Sequence, residues 1–562
     1  MDRAGDISEL EKNKIGIINK SHKRTKRNKK LNKVTKNGII NSLDEFVQNS
    51  TLHGLRYIGD KNLSNIEKCF WLIVVTTSIT ICGFLIRNVW VKWQNSIIIT
   101  LNEELVPVDS VYYPSLTICP QIKIRENSFK FEAEREYYQD FMWSGYDETP
   151  TERIRLGRVA DIALVCDDDL RAGIVNIPIS NHTVKINSIL DVALDFEDIF
   201  ESCEWNTNSI ACESLFQKVL IRDGVCFTMN ALDEDKIIRS ENVMSRHFLS
   251  NKNYRENLSS VYPIRGSAND ATPEFAVTLR EYLDYDDKSC KRYSTGFFVY
   301  YHDPADMPHA SIHSYSVKTN QIMSLALKFD SVSSSEDVKS YPIKTRKCYF
   351  PDEPYLIFFL TYTESNCRLE CFTNYTKQLC GCVAFYMPRD NATRVCPAHY
   401  MYCVDVAQIL LYGSLQPKKL ERFINMYSYK RDSMNVSLID KGKELATACA
   451  CLPICNSVNY NADVMKMDYD FEYYFDFYCT YLEICNNRNK SYTYSKIEWI
   501  FKDPSYVGMI RSNMFGVTDF IAQCGGLLGL FLGFSFLTVV EIVYYITLRL
   551  GCIIRRENLN VN

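Results

Sequence analysis

The stretch Asp519-Phe-Ile-Ala-Gln-Cys-Gly-Gly-Leu-Leu-Gly-Leu-Phe-Leu-Gly-Phe-Ser-Phe-Leu-Thr-Val-Val-Glu541 decides how the chain is organised. Between its two carboxylates lie 21 uncharged residues, Phe520 to Val540. As an α-helix rising about 1.5 Å per residue, they span roughly 30 Å, the thickness of a bilayer's hydrocarbon core. The stretch therefore predicts a membrane-spanning helix.

One face of this predicted helix carries small or polar residues. They recur at steps of three or four positions: Asp519, Ala522, Gly526, Gly529 and Gly533. Such a face suits close packing against another helix, since Gly525, Gly529 and Gly533 form two overlapping GxxxG units. It also suits a narrow cation pathway bordered by glycine carbonyls and the Ser535 hydroxyl, with a carboxylate at each end. The pattern leaves both interpretations open.

A second apolar run, Cys69 to Ile86, has 18 residues without a charge and continues to Val91 past Arg87. Its aromatic residues gather at its ends, as they do at membrane interfaces. It starts too far into the chain for a cleaved signal peptide. Two spans predict five segments: a tail 1–68, a transmembrane helix 69–91, a loop domain 92–513, a second transmembrane helix 514–547 and a tail 548–562.

Basic residues set the predicted orientation. Eleven Lys or Arg and no acid lie between Lys12 and Lys36, and Arg549, Arg555 and Arg556 follow the second span. Because Lys and Arg mark the cytosolic side, both termini are expected in the cytosol of a plasma-membrane protein. The basic run has no interleaved aromatic residues, so it predicts a disordered tail that either sets the topology or binds lipid headgroups, rather than one that binds nucleic acid.

The loop has the composition of an exported domain. Of 22 cysteines, 18 lie between the spans, an even number that suits disulfides in an oxidising compartment. Six N-x-Ser/Thr glycosylation acceptors also lie there: Asn181, Asn257, Asn374, Asn391, Asn435 and Asn489. Hydrophobic patterns predict strands at 297–301 and 322–329 and helices at 125–142 and 190–200. We therefore expect one α+β extracellular domain of about 420 residues.

Cysteines are densest between Cys348 and Cys455. Cys367 and Cys371 are four apart and would share one face of a helix. Zinc is disfavoured because C-x-x-C doublets are missing and the compartment oxidises thiolates. We expect disulfides that staple two helices into a rod able to act as a lever, each contributing about 2 to 4 kcal/mol.

No motif for catalysis or nucleotide binding occurs, so the chain is not expected to be an enzyme or to hold a cofactor. His309 and His313 are four apart, but Pro308 favours a loop over a metal site. Two acidic clusters are either solvated loop faces or sites that titrate or bind calcium. They are Asp167-Asp168-Asp169 and Asp284 with Asp286 and Asp287.

Several motifs together resemble one family, the degenerin/epithelial sodium channel superfamily, and most of all its arthropod pickpocket branch. They occur in family order along residues 49–545. The matching pieces are Asn49-Ser-Thr-Leu-His-Gly-Leu-Arg-Tyr57, Lys92-Trp-Gln-Asn-Ser96, Tyr113-Pro-Ser-Leu-Thr-Ile-Cys-Pro120, Gly224-Val-Cys-Phe-Thr-Met-Asn230, the series Cys367, Cys371, Cys380 and Cys382, then Cys449-Ala-Cys-Leu-Pro-Ile-Cys455 and Gly525-Gly-Leu-Leu-Gly-Leu-Phe-Leu-Gly-Phe-Ser535.

The resemblance implies a homo- or heterotrimer around a central pore, an outer domain shaped like a clenched hand, and voltage-insensitive, amiloride-sensitive sodium conduction. Gly533, Phe534 and Ser535 match the selectivity tract. His53 and Gly54 match a re-entrant gating segment, and Ala522 matches the position where bulky side chains lock such channels open. The expected pore-lining residues are Asp519, Gln523, Gly526 and Gly529.

The resemblance also implies seven disulfides: Cys119–Cys226, Cys203–Cys212, Cys348–Cys455, Cys367–Cys451, Cys371–Cys449, Cys380–Cys403 and Cys382–Cys396. The remaining loop cysteines predict Cys166–Cys290 and Cys479–Cys485. Two other classes stay open, an ATP-gated cation channel and a two-pass receptor or adhesion protein without conduction. The finger region, about 125–290, matches the family too weakly to predict the stimulus or an extracellular ligand.

Overall fold

The structure is a computed structural model of the 562-residue chain. It describes residues 39–559 except 41, 95–96, 126, 145–148, 167–181, 244–246, 250–262, 268–272, 283–289, 291–294, 310–313, 414–440, 443, 446–448, 472, 474–475, 478–491 and 514–515. The chain forms two compact units. The helical unit comprises residues 1–98 and 513–562, and the disulfide-rich unit comprises residues 99–512.

The helices are numbered in chain order: α1 Leu55–Gly59, α2 Asn65–Gln94, α3 Phe131–Ser144, α4 Pro150–Ile162, α5 Ile186–Leu190, α6 Phe196–Ile199, α7 Cys212–Leu215, α8 Glu234–Ile237, α9 Ile343–Arg346, α10 Glu364–Cys380, α11 Met401–Gly413, α12 Val517–Leu532, α13 Phe536–Tyr544 and α14 Leu550–Leu559. A π-helical turn, Tyr545–Arg549, joins α13 to α14. The strands are β1 Ile97–Pro107, β2 Ser115–Pro120, β3 Phe200–Trp205, β4 Asn208–Ile210, β5 Phe216–Ile221, β6 Gly224–Met229, β7 Phe248–Leu249, β8 Phe275–Tyr282, β9 Phe297–His302, β10 Tyr315–Val317, β11 Gln321–Ser334, β12 Ser457–Asp468, β13 Tyr492–Phe501 and β14 Ser505–Asn513.

The helical unit holds the apolar helices. In the part of the chain that the structure describes, two helical stretches are long and apolar enough to cross a membrane, Asn65–Gln94 and Phe536–Ile553. α2 buries only Val75 and Cys82, so most of its apolar surface is open to lipid or to another chain. α12 packs on α2 through Phe520, whose ring centroid lies 5.0 Å from that of Trp93.

The disulfide-rich unit is built on two sheets that share one aromatic core. Among its described residues, eight strands run in the order β1-β14-β11-β13-β8-β3-β4 with β12 beside β11, and six in the order β10-β9-β2-β6-β5-β7. Phe227 of β6 meets Phe196 at 5.0 Å, and Trp499 of β13 meets Phe275 of β8 at 4.9 Å. Both pairs belong to one buried cluster fed by both sheets, which holds the sheets together.

The predicted elements are partly right. The predicted strands 297–301 and 322–329 lie within β9 and β11. The helix predicted at 125–142 starts only at Phe131, in α3. The single helix predicted at 190–200 is wrong: Asp195 accepts the Phe196 N–H and starts the separate short helix α6, after which the chain enters β3.

Eight disulfides join described residues, and all eight pairs are among those expected from sequence. They are Cys119–Cys226, Cys166–Cys290, Cys203–Cys212, Cys348–Cys455, Cys367–Cys451, Cys371–Cys449, Cys380–Cys403 and Cys382–Cys396. The predicted pair Cys479–Cys485 lies outside the described residues. Cys69, Cys82, Cys524 and Cys552 are free.

The expected rod of two stapled helices needs correction. Cys367 and Cys371 do share a face of α10, which begins where Thr363 Oγ1 accepts the Asn366 N–H and ends at Cys380, directly before Gly381. Their partners Cys451 and Cys449 lie in a segment without regular secondary structure. These two disulfides therefore join a helix to an irregular segment rather than to a second helix. The helix that is stapled to α10 is α11, through Cys380–Cys403.

The first testable expectation concerns Cys119–Cys226, which joins β2 to β6 with both cysteines fully buried. Replacing both by alanine is expected to lower the stability of the disulfide-rich unit by about 2 to 4 kcal/mol, because the unfolded chain regains freedom. The melting temperature of the purified chain in detergent measures this. Cys552→Ala, at an exposed free thiol, is the control. Equal melting temperatures for the double variant and the control would contradict the expectation.

Candidate functional site

The apolar stretch Phe520 to Val540 is not one helix, contrary to the sequence-based expectation. α12 ends at Leu532, and Gly533 takes a left-handed conformation with φ +64°. The Gly533 N–H donates to the Gly529 carbonyl at 2.9 Å, and the Phe534 N–H donates to the Leu528 carbonyl at 3.2 Å. These bonds satisfy carbonyls at the end of the helix. The small face of α12 therefore does not continue past Gly533.

Ser535 starts the next helix. Its hydroxyl accepts the Thr538 N–H at 3.3 Å, and its own N–H donates to Thr538 Oγ1 at 3.1 Å, a reciprocal capping box. The tract Gly533-Phe534-Ser535 is thus a short break between α12 and α13. Non-helical backbone at membrane depth is tolerated only where protein buries it or where it lines a water-filled cavity.

His53 lies directly against this break. Its backbone N–H donates to the Leu532 carbonyl at 3.0 Å. A Cβ atom built on Gly533 would collide with the His53 imidazole. Position 533 therefore requires glycine twice, for its positive φ and for the approach of His53. The structure brings together His53 and Gly533, residues 480 positions apart that the sequence assigned to separate roles.

Gly54 also has no room for a side chain. Its φ is +85°, and a Cβ atom there would lie 2.7 Å from Val75 Cγ2 of α2. The next residues form α1, from which Tyr57 stacks on Trp71 of α2 at 4.4 Å. The His-Gly segment is thus fixed between the first span and the break in the second.

Thr51 extends this contact along α13. Its hydroxyl lies 3.1 Å from Thr538 Oγ1 and donates to Glu541 Oε2 at 2.8 Å. Its N–H donates to the same Glu541 oxygen at 3.3 Å. The carboxylate at the inner end of the predicted span is therefore held in place by the segment that precedes the first span.

The predicted pore-lining residues lie on α12. Ala522, Gln523 and Gly526 are exposed, Gly529 is half-buried, and a Cβ atom on Gly526 would meet no atom within 4 Å. Asp519 is exposed and accepts the Gly516 N–H at 2.9 Å in the first turn. Among the described residues, no other part of the chain packs over Ala522, Gln523 and Gly526 on α12.

A family model described as amiloride-sensitive sodium channel matches residues 46–545, which include α2, α12, α13, the break and every disulfide above. The chain belongs to this family, the degenerin/epithelial sodium channel superfamily. The predicted membership is confirmed. The chain is therefore a membrane protein of a sodium channel family rather than of an enzyme family.

Relatives of this channel-family chain agree. Pickpocket protein 28 of Drosophila melanogaster is 27% identical over 546 residues, which cover 92% of this chain and 79% of the relative. Sodium channel protein Nach of Drosophila ananassae is 22% identical, covering 89% and 86%. Human Acid-sensing ion channel 2 is 22% identical, covering 90% and 86%. The predicted likeness to the pickpocket branch is also confirmed.

Several candidate residues lie outside the described part of this channel-family chain. They are His313, the acidic clusters Asp167-Asp168-Asp169 and Asp284, Asp286 and Asp287, and the acceptors Asn181, Asn257, Asn435 and Asn489. Asn391 is exposed in a turn, whereas Asn374 is half-buried in α10. His309 lies in a loop, where Nδ1 is 3.1 Å from the Met307 carbonyl. In the described ranges, no three His, Cys, Asp or Glu side chains form a metal-binding group.

Sequence reasoning missed a carboxylate pair in the loop after β9. Asp303 Oδ1 accepts the Ala305 N–H at 2.9 Å, which folds the loop so that Asp306 sits close to the charge of Asp303. Burial, with the Asp303 charge as second cause, raises the pKa of the Asp306 carboxyl to about 7. The spacing D-x-x-D gave no signal, because the shift depends on burial that only the fold creates.

Replacing Gly54 by alanine tests the His-Gly geometry. Positive φ and the collision with Val75 predict a destabilisation of the segment by about 1 to 3 kcal/mol. Gly83→Ala is a matched control on α2, because a Cβ atom there meets nothing within 4 Å. Trypsin cleavage at Arg56 in the purified chain reports release of the segment. Equal cleavage rates for the two variants would refute the proposed constraint.

Asp306 gives a pH-dependence with a defined sign. Its carboxyl titrates near 3.8 when unfolded and near 7 when folded, so folding binds a proton between those values. The contribution of the protonated Asp306 carboxyl to the free energy of unfolding is complete below about pH 4 and is lost as the pH rises to about 7. Asp306→Asn is expected to flatten the melting temperature over this window. Asp352→Asn, at an exposed carboxylate, is the control and keeps the slope; an unchanged slope in Asp306→Asn contradicts the assignment.

Proposed function

We propose that the chain is a subunit of a trimeric, voltage-insensitive, amiloride-sensitive channel that conducts sodium across the plasma membrane, with both termini in the cytosol. The observation that carries the proposal is the break at Gly533-Phe534-Ser535, which His53 contacts through the Leu532 carbonyl and Gly533. Family membership supports sodium conduction, and the basic residues before α2 and after α13 support the cytosolic termini.

A ring of chains is required by geometry. Two spans cannot enclose a pore alone, and the uncovered glycine face of α12 offers a surface that could meet an axis shared by several copies. Asp519 and Glu541 at opposite ends of the stretch favour cations over anions. Three copies, identical or from related chains, form the proposed pore.

The break supplies the proposed selectivity filter. The backbone of Gly533 and Phe534 belongs to neither helix, so its carbonyl groups are not committed to a helical ladder. Carbonyl oxygens and the Ser535 hydroxyl can replace part of the hydration shell of a sodium ion. The His53 contact keeps this backbone fixed, which a filter needs to distinguish ions of different size.

Gating is proposed to reach the pore from the disulfide-rich unit. A stimulus moves that unit, its disulfide-braced helices transmit the motion, and α12 tilts or rotates to widen the pore near Ala522. Protons are a second candidate stimulus beside mechanical and chemical ones. The Asp303–Asp306 pair favours protons because burial and the neighbouring Asp303 charge raise the pKa of the Asp306 carboxyl to about 7.

Ala522→Phe is expected to give a constitutive inward sodium current, because a bulky side chain at this exposed position of α12 prevents closure. Currents are recorded in cells without related channels, alone and with related subunits, with sodium replaced by potassium or a large organic cation and with amiloride added. Ile521→Phe places the same phenyl side chain at an exposed position on another face of α12 and is the control, expected to give no such current.

If Ala522→Phe reaches the cell surface with partner subunits and carries no current, the gating assignment is wrong. If no form of the chain carries current under any stimulus, a two-pass receptor or adhesion protein without conduction is the better account. A current without preference for sodium would contradict the proposed filter.

A further inference from the structure

The second span contains a π-helical turn close to its inner end. At the end of Tyr545–Arg549 the Leu550 N–H donates both to the Thr547 carbonyl and to the Tyr545 carbonyl, five residues back. A π-helical turn accommodates one more residue than an α-helical turn and is found often at functional sites. Something in the surroundings has to stabilise it, because the α-helical alternative is intrinsically preferred.

A segment from the other end of the chain contacts this turn. The Ser42 hydroxyl donates to the same Tyr545 carbonyl at 3.2 Å, and Ser42 is only 6% exposed. The Phe46 ring meets the Tyr545 ring edge-on at 5.4 Å. The Tyr545 carbonyl therefore accepts two hydrogen bonds, one within the turn and one from outside it. A side chain inserted in this way is a known cause of local helix distortion.

An ion pair closes the contact. Glu45 accepts two hydrogen bonds from Arg549, from Nε at 3.0 Å and from Nη2 at 2.6 Å. Both side chains are about two-thirds buried, with 40% of Arg549 and 34% of Glu45 exposed. A bidentate, partly buried pair of this kind is stronger than an exposed one and fixes orientation as well as distance.

The three contacting residues share one face of a helix. Residues 42–49 are helical, and Ser42, Glu45 and Phe46 stand at i, i+3 and i+4. All three reach the π-helical turn, whereas Asp44, the residue before Glu45, pairs elsewhere: its carboxylate lies 3.2 Å from Lys61 Nζ. The contact is separate from the Thr51 and His53 contacts at α13 and the break.

We propose that the helical segment around Ser42, Glu45 and Phe46 is a clamp that stabilises the π-helical turn and so positions the inner end of the second span. Release of the clamp lets the turn return to α-helix. When the π-helical turn becomes α-helical, one residue leaves the turn, and the helix beyond it rotates by about 100° and shifts by about 1.5 Å. The clamp thus sets which face of α14 points toward the proposed pore.

Charge reversal tests the clamp. Glu45→Arg and Arg549→Glu are each expected to change the current per surface channel by about 3- to 10-fold, and the double reversal to restore most of it. Asp44→Arg makes the same change of charge one residue away and is expected to stay within about 2-fold. Ser42→Ala, which removes only the hydroxyl, is expected to act in the same direction as Glu45→Arg. A double reversal no better than the single variants overturns the proposal.

A second measurement does not depend on conduction, whereas the current readout rests on the proposed function. In a Cys552→Ser background, Glu45→Cys with Arg549→Cys is treated with a short bifunctional maleimide, and joined peptides are detected by mass spectrometry. Asp44→Cys with Arg549→Cys is the control. Efficient joining of the first pair alone supports the clamp. Absence of joining in the first pair, or equal joining in both, overturns it, whether or not the chain conducts.

Discussion

The helical unit depends on one constraint: backbone groups inside a membrane need partners within the protein. A continuous helix meets this constraint automatically, and the break at Gly533 does not. The break persists because three interactions share the task. Gly533 bonds back to α12, Ser535 and Thr538 cap α13, and the His53 N–H takes the Leu532 carbonyl. Glycine at 533 is what allows His53 close enough to do so.

The segment before the first span also packs along the second, through side chains that bind polar groups of α13 and the π-helical turn. Thr51, Glu45 and Ser42 bind Glu541, Arg549 and the Tyr545 carbonyl in turn. These contacts join residues 490, 504 and 503 positions apart. The segment that precedes the first span thereby lies along α13 and the π-helical turn. A change in this segment has a direct route to the break and to the turn beyond it.

Sequence reasoning singled out His53 and the tract Gly533-Phe534-Ser535 as candidates but predicted neither the break in the helix nor the contact between them. Phe520 to Val540 reads as one helix because hydropathy is blind to a single left-handed glycine. The signal was present in Ser535-Phe-Leu-Thr538, a capping-box spacing that marks a helix start. This capping signal was outweighed by the length of the uncharged stretch Phe520 to Val540, which suggests one continuous helix. Seven of the eight disulfide pairs followed from the family resemblance, and Cys166–Cys290 followed from the loop cysteines left over. Spacing alone could not have shown that Cys449 and Cys451 face α10 from an irregular segment. The raised pKa of Asp306 was beyond sequence, because it arises from burial by distant residues.

The central claim is that the break at Gly533-Phe534-Ser535 borders the ion pathway. Ser535→Cys tests it most directly, with external cadmium applied to currents carried by that variant. The account predicts block of Ser535→Cys, with no block of the unsubstituted chain or of Leu537→Cys, whose native side chain is 74% exposed on α13. Full current through Ser535→Cys in saturating cadmium, or equal block of Leu537→Cys, would contradict it.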